Sequence, residues 1–229
     1  MRHKILDALQ KMQDEVQLDG IVEADETFFP VSYKGNHKNS KTFTMPREAR
    51  HHGHKVTKRG LSNEQVCIPC AVNRKRLSVA RVGKLGKVNY DCIEKVFNNQ
   101  IKENTILCTD GEKSYRRFSL EHNYQLIQLE NGRSKRGIYH IQHINNYHSQ
   151  LKGFLYRFHG VATKYLNNYL VWHNLVNYFH QDFDEKANRF FTYVITANNH
   201  TSYRNLSLRP PIPLPDDIYD METDEYIIE

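Results

Sequence analysis

The chain has 229 residues, 39% of them hydrophobic and 11% aromatic, enough for one substantial core and ordinary for a water-soluble globular protein. No apolar run approaches a membrane span, the start Met1-Arg-His-Lys-Ile-Leu lacks a signal peptide's apolar region, and four cysteines in so long a chain make no disulfide framework, so a cytoplasmic protein with no membrane partner is expected. The net charge of +6 conceals a division: seven of the 26 acids fall in residues 216–229, leaving 32 bases against 19 acids before them, a net +13 that points to a polyanion such as nucleic acid.

Residues 1–19 predict an amphipathic helix, with Ile5, Leu9, Met12 and Val16 at three-to-four spacing. Asp19-Gly20 then turns into Ile21-Val-Glu-Ala-Asp-Glu-Thr-Phe-Phe29, whose β-branched and aromatic residues predict a strand that is at least half-buried. It carries three carboxylates. Strand alternation puts Glu23 and Asp25 on one face with Ile21 and Thr27, and Glu26 on the other. Acids in such a strand need a Lys or Arg partner, an exposed edge or a divalent metal, and the stretch alone leaves all three open.

Residues 30–63 form a long polar insertion rich in Lys, Arg, His and Gly, with Lys34, Lys55, Lys58 and Arg59 among its bases. Its composition suits phosphate contact, although solvated loops share it. Residues 65–72 and 77–82 predict an antiparallel pair of strands about the turn Asn73-Arg-Lys75. Cys67 and Cys70 lie three apart in the first of them and so face opposite sides. A zinc site drawn from them and His51, His52 and His54 is therefore rejected, and no zinc is expected.

Residues 90–101 predict a helix with Ile93, Val96, Phe97 and Ile101 on one face, and residues 105–109 a short apolar strand ending at Asp110-Gly111. An acid at the C-terminal end of a buried strand is where open α/β sheets place site residues, although Asp-Gly is equally a common turn. A strand at 125–129 leads to a basic loop holding Arg133, Lys135 and Arg136. A helix over 141–158 buries Ile144, Tyr147, Leu151, Phe154, Leu155 and Phe158 and carries Asn145 and Lys152, seven apart and almost eclipsed, at the margin of that stripe, with His148 and Ser149 beside them. A second helix, 163–179, is apolar nearly all round. After residue 184 the chain is expected to be irregular, with Phe190-Phe-Thr-Tyr-Val-Ile195 continuing the packing, a Pro-rich segment, and a disordered acidic tail.

Three stretches then resemble the DDE-type insertion-sequence transposases, of the ribonuclease H-like and retroviral-integrase superfamily. They are Val22-Glu-Ala-Asp25-Glu-Thr-Phe, Thr109-Asp110-Gly-Glu-Lys-Ser-Tyr115 and His143-Ile-Asn145-Asn-Tyr-His148-Ser-Gln-Leu-Lys152. The run Arg157-Phe-His-Gly-Val-Ala-Thr-Lys-Tyr-Leu166 is similar too, and the likeness covers about residues 20–180. The resemblance implies an α/β fold, a ribonuclease H-like mixed sheet flanked by helices, spanning residues 20–184 between an N-terminal helix (1–19) and a C-terminal extension (185–229). It implies Asp25, Asp110 and Asn145 as ligands of Mg²⁺, for which Mn²⁺ can substitute, with Asn145 standing where most of the superfamily has Glu. Lys152 completes the catalytic set and contacts the phosphate backbone, together with Arg133, Lys135, Arg136, Lys55, Lys58 and Arg59. The implied activity is cleavage and strand transfer of double-stranded DNA at insertion-sequence ends by a homo-oligomer. The alternatives are a nuclease of the same fold without strand transfer and an inactive DNA-binding remnant. Such transposases also carry DNA-binding modules before the first acid, so the chain is expected to be a truncated copy or a catalytic domain expressed alone.

Overall fold

The computed structural model describes residues 2–35, 44–45, 64–129, 135–177, 183–196 and 201–212. The predicted N-terminal helix is two: α1 (Arg2–Ala8) and α2 (Gln10–Asp14), broken at the fully buried Leu9. Strand β1 (Ile21–Pro30) pairs antiparallel along its whole length with β2 (Gln65–Asn73), which returns through β3 (Ser78–Ala80) and a two-residue strand, β4 (Lys84–Leu85). Helix α3 (Tyr90–Phe97) opens on Asn89, whose side chain accepts the Cys92 backbone N–H at 3.2 Å. Strand β5 (Ile106–Thr109), helix α4 (Ser114–Glu121) and strand β6 (Gln125–Gln128) follow. A small hairpin of β7 (Lys135–Arg136) and β8 (Tyr139–His140) leads into α5 (Gln142–Tyr156). A 3₁₀ turn (Thr163–Tyr165) and α6 (Leu166–Asn177) come next, then α7 (Phe183–Thr196) and α8 (Tyr203–Leu208).

The sheet order is β3-β2-β1-β5-β6, with β4 also on β2; β1, β5 and β6 are parallel, while β2 runs against β1. This is the expected ribonuclease H-like mixed sheet, with helices on both faces. Strand alternation divides the core accordingly. Val22 and Ala24 of β1 pack with Cys67, Ala71, α3 and α4, whereas the opposite face of β2, with Val66, Ile68, Cys70 and Val72, packs under α5 and α6. Cys67 and Cys70 thus lie in different halves of the core, as strand alternation requires.

Pro69 lies inside β2 without breaking the sheet. Its missing N–H falls between the stretch paired with β4 (Val66, Cys67) and the stretch paired with β3 (Cys70 to Val72). Gly83 is required nearby, because a Cβ there would stand 2.3 Å from the Cys92 sulfur and 3.0 Å from the Pro69 ring.

The N-terminal helices belong to the α6 side. Asn168 of α6 donates to Asp7 at 2.8 Å, Arg209 donates to the same carboxylate at 2.6 Å, and Leu6, Leu9 and Val171 form a small core with Phe190 and Val194. The expected irregularity after residue 184 is corrected here: Phe183–Thr196 is a helix, and Phe190 and Val194, four apart, present one packed face. The acidic tail lies outside the described residues, and no described helix is long and apolar enough to cross a membrane.

Candidate active site

Glu23 and Asp25 share one face of β1, yet they have opposite surroundings. Glu23 is 1% exposed and saturated with donors. One carboxylate oxygen accepts the backbone N–H groups of His143 (2.8 Å) and Ile144 (3.1 Å), in the first turn of α5. The other lies 3.1 Å from the Arg74 guanidinium, 2.8 Å from His143 Nδ1 and 3.2 Å from His140 Nδ1. The carboxylate serves as a cap for α5, supplied by a strand rather than by the residue before the helix. Ligand atoms of Glu23, His140 and His143 lie close enough together to hold a metal ion. Arg74 already supplies the positive charge there, because its guanidinium also contacts both imidazoles. The same arginine donates to the Ile138 carbonyl at 3.1 Å and so fastens the β7–β8 hairpin to the sheet.

Asp25 lies two residues further along β1. The parallel register pairs Ile21 with Ile106 and Glu23 with Cys108; continued by two residues, it sets Asp25 beside Asp110, where β5 has ended and β1 runs on. The pairing of the two strands stops there, at the C-terminal end of β5, where open α/β sheets place site residues. Asp110 accepts the Glu112 N–H at 3.0 Å, the turn its Asp-Gly dipeptide predicts. Burial and then the Asp110 charge push Asp25 up to about 7, against one backbone hydrogen bond from Glu26 (2.9 Å) and the more distant charge of Lys152. Glu26, on the opposite face, is pushed up to about 8 by burial and by the charges of Asp25, Asp110 and Glu112, with only a 3.4 Å hydrogen bond from the Tyr115 hydroxyl in return. Glu112 itself is bridged to Lys87 at 3.1 Å. Acids placed in this way, with so little cationic compensation, are costly to keep ionised.

Helix α5 packs over this face of the sheet, and β1 and its continuation hold both its ends. Glu23 caps the N-terminus, while Lys34 donates to the carbonyls of Phe158, His159 and Gly160 (3.0–3.2 Å) just beyond the C-terminus. Acid at the start and base at the end both complement the helix dipole. Lys34, the first base of the polar insertion, thus spends its ammonium on the fold. Lys152 is exposed on α5 and acts electrostatically on both Asp25 and His148. Asn145 is exposed too, and among the described residues its side chain makes no hydrogen bond. The charges of Asp110 and Lys152 thus act on Asp25 and His148 stands 3.8 Å from it, while Asn145 is exposed. Lys135 and Arg136 are exposed on β7. Arg133, Lys55, Lys58 and Arg59, like His51, His52 and His54, lie outside the described residues. Arg74 escaped the sequence reading, because nothing in a three-residue turn indicates an acid on a strand about fifty residues earlier.

Residues 17–172 match the family model described as ISXO2-like transposase domain. Solved structures similar to the chain include the Mos1 strand transfer complex, at 11% identity over 99% of this chain and 62% of that one (TM-score 0.32). A pre-cleavage Mos1 transpososome is similar at 11% identity over 87% of this chain and 63% of that one (TM-score 0.30). The chain thus spans less than two thirds of those chains, and likeness at that level adds nothing to the family match. No curated protein matches the chain.

Proposed function

The chain belongs to the ISXO2-like transposase domain family, and we propose from that premise that it is a catalytic domain that cuts and rejoins double-stranded DNA at insertion-sequence ends with Mg²⁺ or Mn²⁺. The observation that supports this reading is the position of Asp25 and Asp110, each two residues beyond the last pair of the parallel β1–β5 register, with burial and the Asp110 charge pushing Asp25 up to about 7. Their carboxylate oxygens would hold the metal ions. When bound, such ions activate an attacking oxygen and stabilise the leaving oxygen of a phosphodiester. Asn145, by the family resemblance, would add an uncharged carbonyl oxygen.

The remaining work falls to the chain's own groups. Lys152, exposed beside the acids, offers a point charge to a strand's phosphate. Lys135 and Arg136, on the hairpin that Arg74 anchors, extend a basic surface over which a duplex can lie. Glu23 and Lys34 hold α5 in register with β1, so that Lys152 keeps its place relative to Asp25. The body's net charge of +13 suits this partner, and a homo-oligomer on two DNA ends fits joining chemistry.

The test incubates purified chain with end-containing duplex DNA and Mg²⁺ and separates the products. Cleaved and joined strands, both lost in Asp25→Asn, are the expected result. Cleavage without joined strands would leave a nuclease, and binding without cleavage a DNA-binding remnant.

A further inference from the structure

The hairpin before α5 ends in a residue that its turn does not call for. Arg136 pairs with Tyr139, so Gly137 and Ile138 form a two-residue loop, and Gly137 takes φ +63°, the glycine-first pattern of a type II′ turn. The second place in such a loop ordinarily falls to Asn, Asp or Ser, whose polar side chains suit a solvated apex. Here it holds a β-branched aliphatic residue that is 67% exposed. Single exposed apolar residues are common on protein surfaces, but this one is held in place from below. One guanidinium nitrogen of Arg74 stands 3.1 Å from the Ile138 carbonyl and 3.1 Å from the buried Glu23 carboxylate. An ion pair rooted in the core thus fixes the apex beside Glu23, two residues from Asp25 on the same face of β1. The six residues of the hairpin carry two exposed bases, Lys135 and Arg136, and no acid. A fixed apolar point beside two cations is the build of a side chain that enters a base stack. The bases hold phosphates, and the aliphatic tip leaves water for the space between two base pairs.

We propose that Ile138 is a wedge that inserts between neighbouring base pairs of the bound duplex and unstacks that step close to the phosphodiester to be cut. The inference rests on the proposed function and goes beyond it: an unstacked step bends the duplex and frees one strand to approach Asp25 and Asp110. Sequences that open easily at that step, pyrimidine–purine steps above all, are then favoured without any hydrogen bond to a base edge. The apex thus selects for deformable DNA rather than for particular bases.

The test uses the full chain in EDTA, so that nothing is cut, and end-containing duplexes carrying 2-aminopurine at successive positions. Binding should raise the fluorescence severalfold at one step and little elsewhere. Ile138→Asn gives the turn a residue it favours and keeps the backbone carbonyl that Arg74 grips, so the hairpin persists. This variant should abolish the rise while the salt slope of binding stays as it was. Ile138→Phe, a longer wedge, should retain the rise. Lys135→Ala and Arg136→Ala should each lower the salt slope by about 1 and leave the rise in the bound complex. A duplex that binds with no position brightening, or a rise that survives Ile138→Asn, would overturn the wedge and leave the DNA reading standing. A chain that binds no duplex would remove that reading, and the inference with it.

Discussion

Glu23 and Asp25 are two residues apart on one strand, on one face, under one helix, and they make a controlled comparison. Glu23 meets a guanidinium, two imidazoles and two helix N–H groups. Asp25 meets another acid, a single backbone N–H and a histidine too far away to bond. The first environment supplies all the positive potential its carboxylate needs, so that carboxylate holds structure together. The second withholds it, which leaves Asp25 available to a cation from solution. Residue type and strand face do not separate the two roles; the donors that other elements deliver to each position do.

Four measurements break or sharpen this contrast. The largest expected effect is on folding: Glu23→Ala leaves Arg74 and the first turn of α5 without their acceptor and should cost about 3–5 kcal/mol in urea unfolding. A loss below about 1 kcal/mol would mean that the Glu23 cluster is incidental. Asp25→Asn should do the reverse, lowering DNA cleavage about 10²–10³-fold or more while leaving the metal-free chain as stable as before or more so. An unfolded Asp25→Asn variant would place Asp25 with Glu23 as a structural acid.

The third is a pH dependence. Asp25 and Glu26 are raised in the folded chain to about 7 and about 8, so between the unfolded and folded values the folded state binds more protons than the unfolded one. Stability of the metal-free chain should therefore fall as pH rises, by on the order of 2 kcal/mol between pH 6 and pH 8. Mg²⁺ or Mn²⁺ should restore more at pH 8 than at pH 6, and Asp25→Asn should flatten the slope; thermal melts with and without EDTA read both. The smallest effect belongs to Lys34→Ala, which removes the C-terminal clamp of α5 and should cost about 0.5–1 kcal/mol, with no change in the salt dependence of DNA binding. A reduced salt slope would place Lys34 on a DNA-binding surface as well.

Elements that depend on local periodicity were legible. The strand from Ile21, the hairpin around Asn73, the short strand before Asp110 and the amphipathic α5 all follow from alternation or from 3.6-residue spacing. Asp25 and Asp110 were legible as acids on apolar strands, and the parallel register explains why they meet. Two kinds of feature were not. Helix α7 carries the helical period in Phe183, Ala187, Phe190 and Val194, but the dense aromatic run from Phe190 draws the reading to a short isolated stretch, and its packed face is defined by α1 and α6. Arg74 hides, as do the partners of Lys34 and His148, because each acts across a long stretch of chain on a group whose direction only the assembled sheet sets. Asn145, which the family pattern singles out, is exposed on α5, while His148 three residues on is buried.

The clamp on α5 has a kinetic side. Its hydrogen bonds join positions 120 to 126 residues apart, so each closes most of the chain into a loop before it gives anything back. Hairpins and single helices can form and re-form while the chain is young, but α5 cannot settle until it and the first strand have found each other. A chain still being synthesised, or one nicked before residue 142, therefore carries both acids without the helix beside them. Competence at this site arrives late and all at once, with the docking of a single helix.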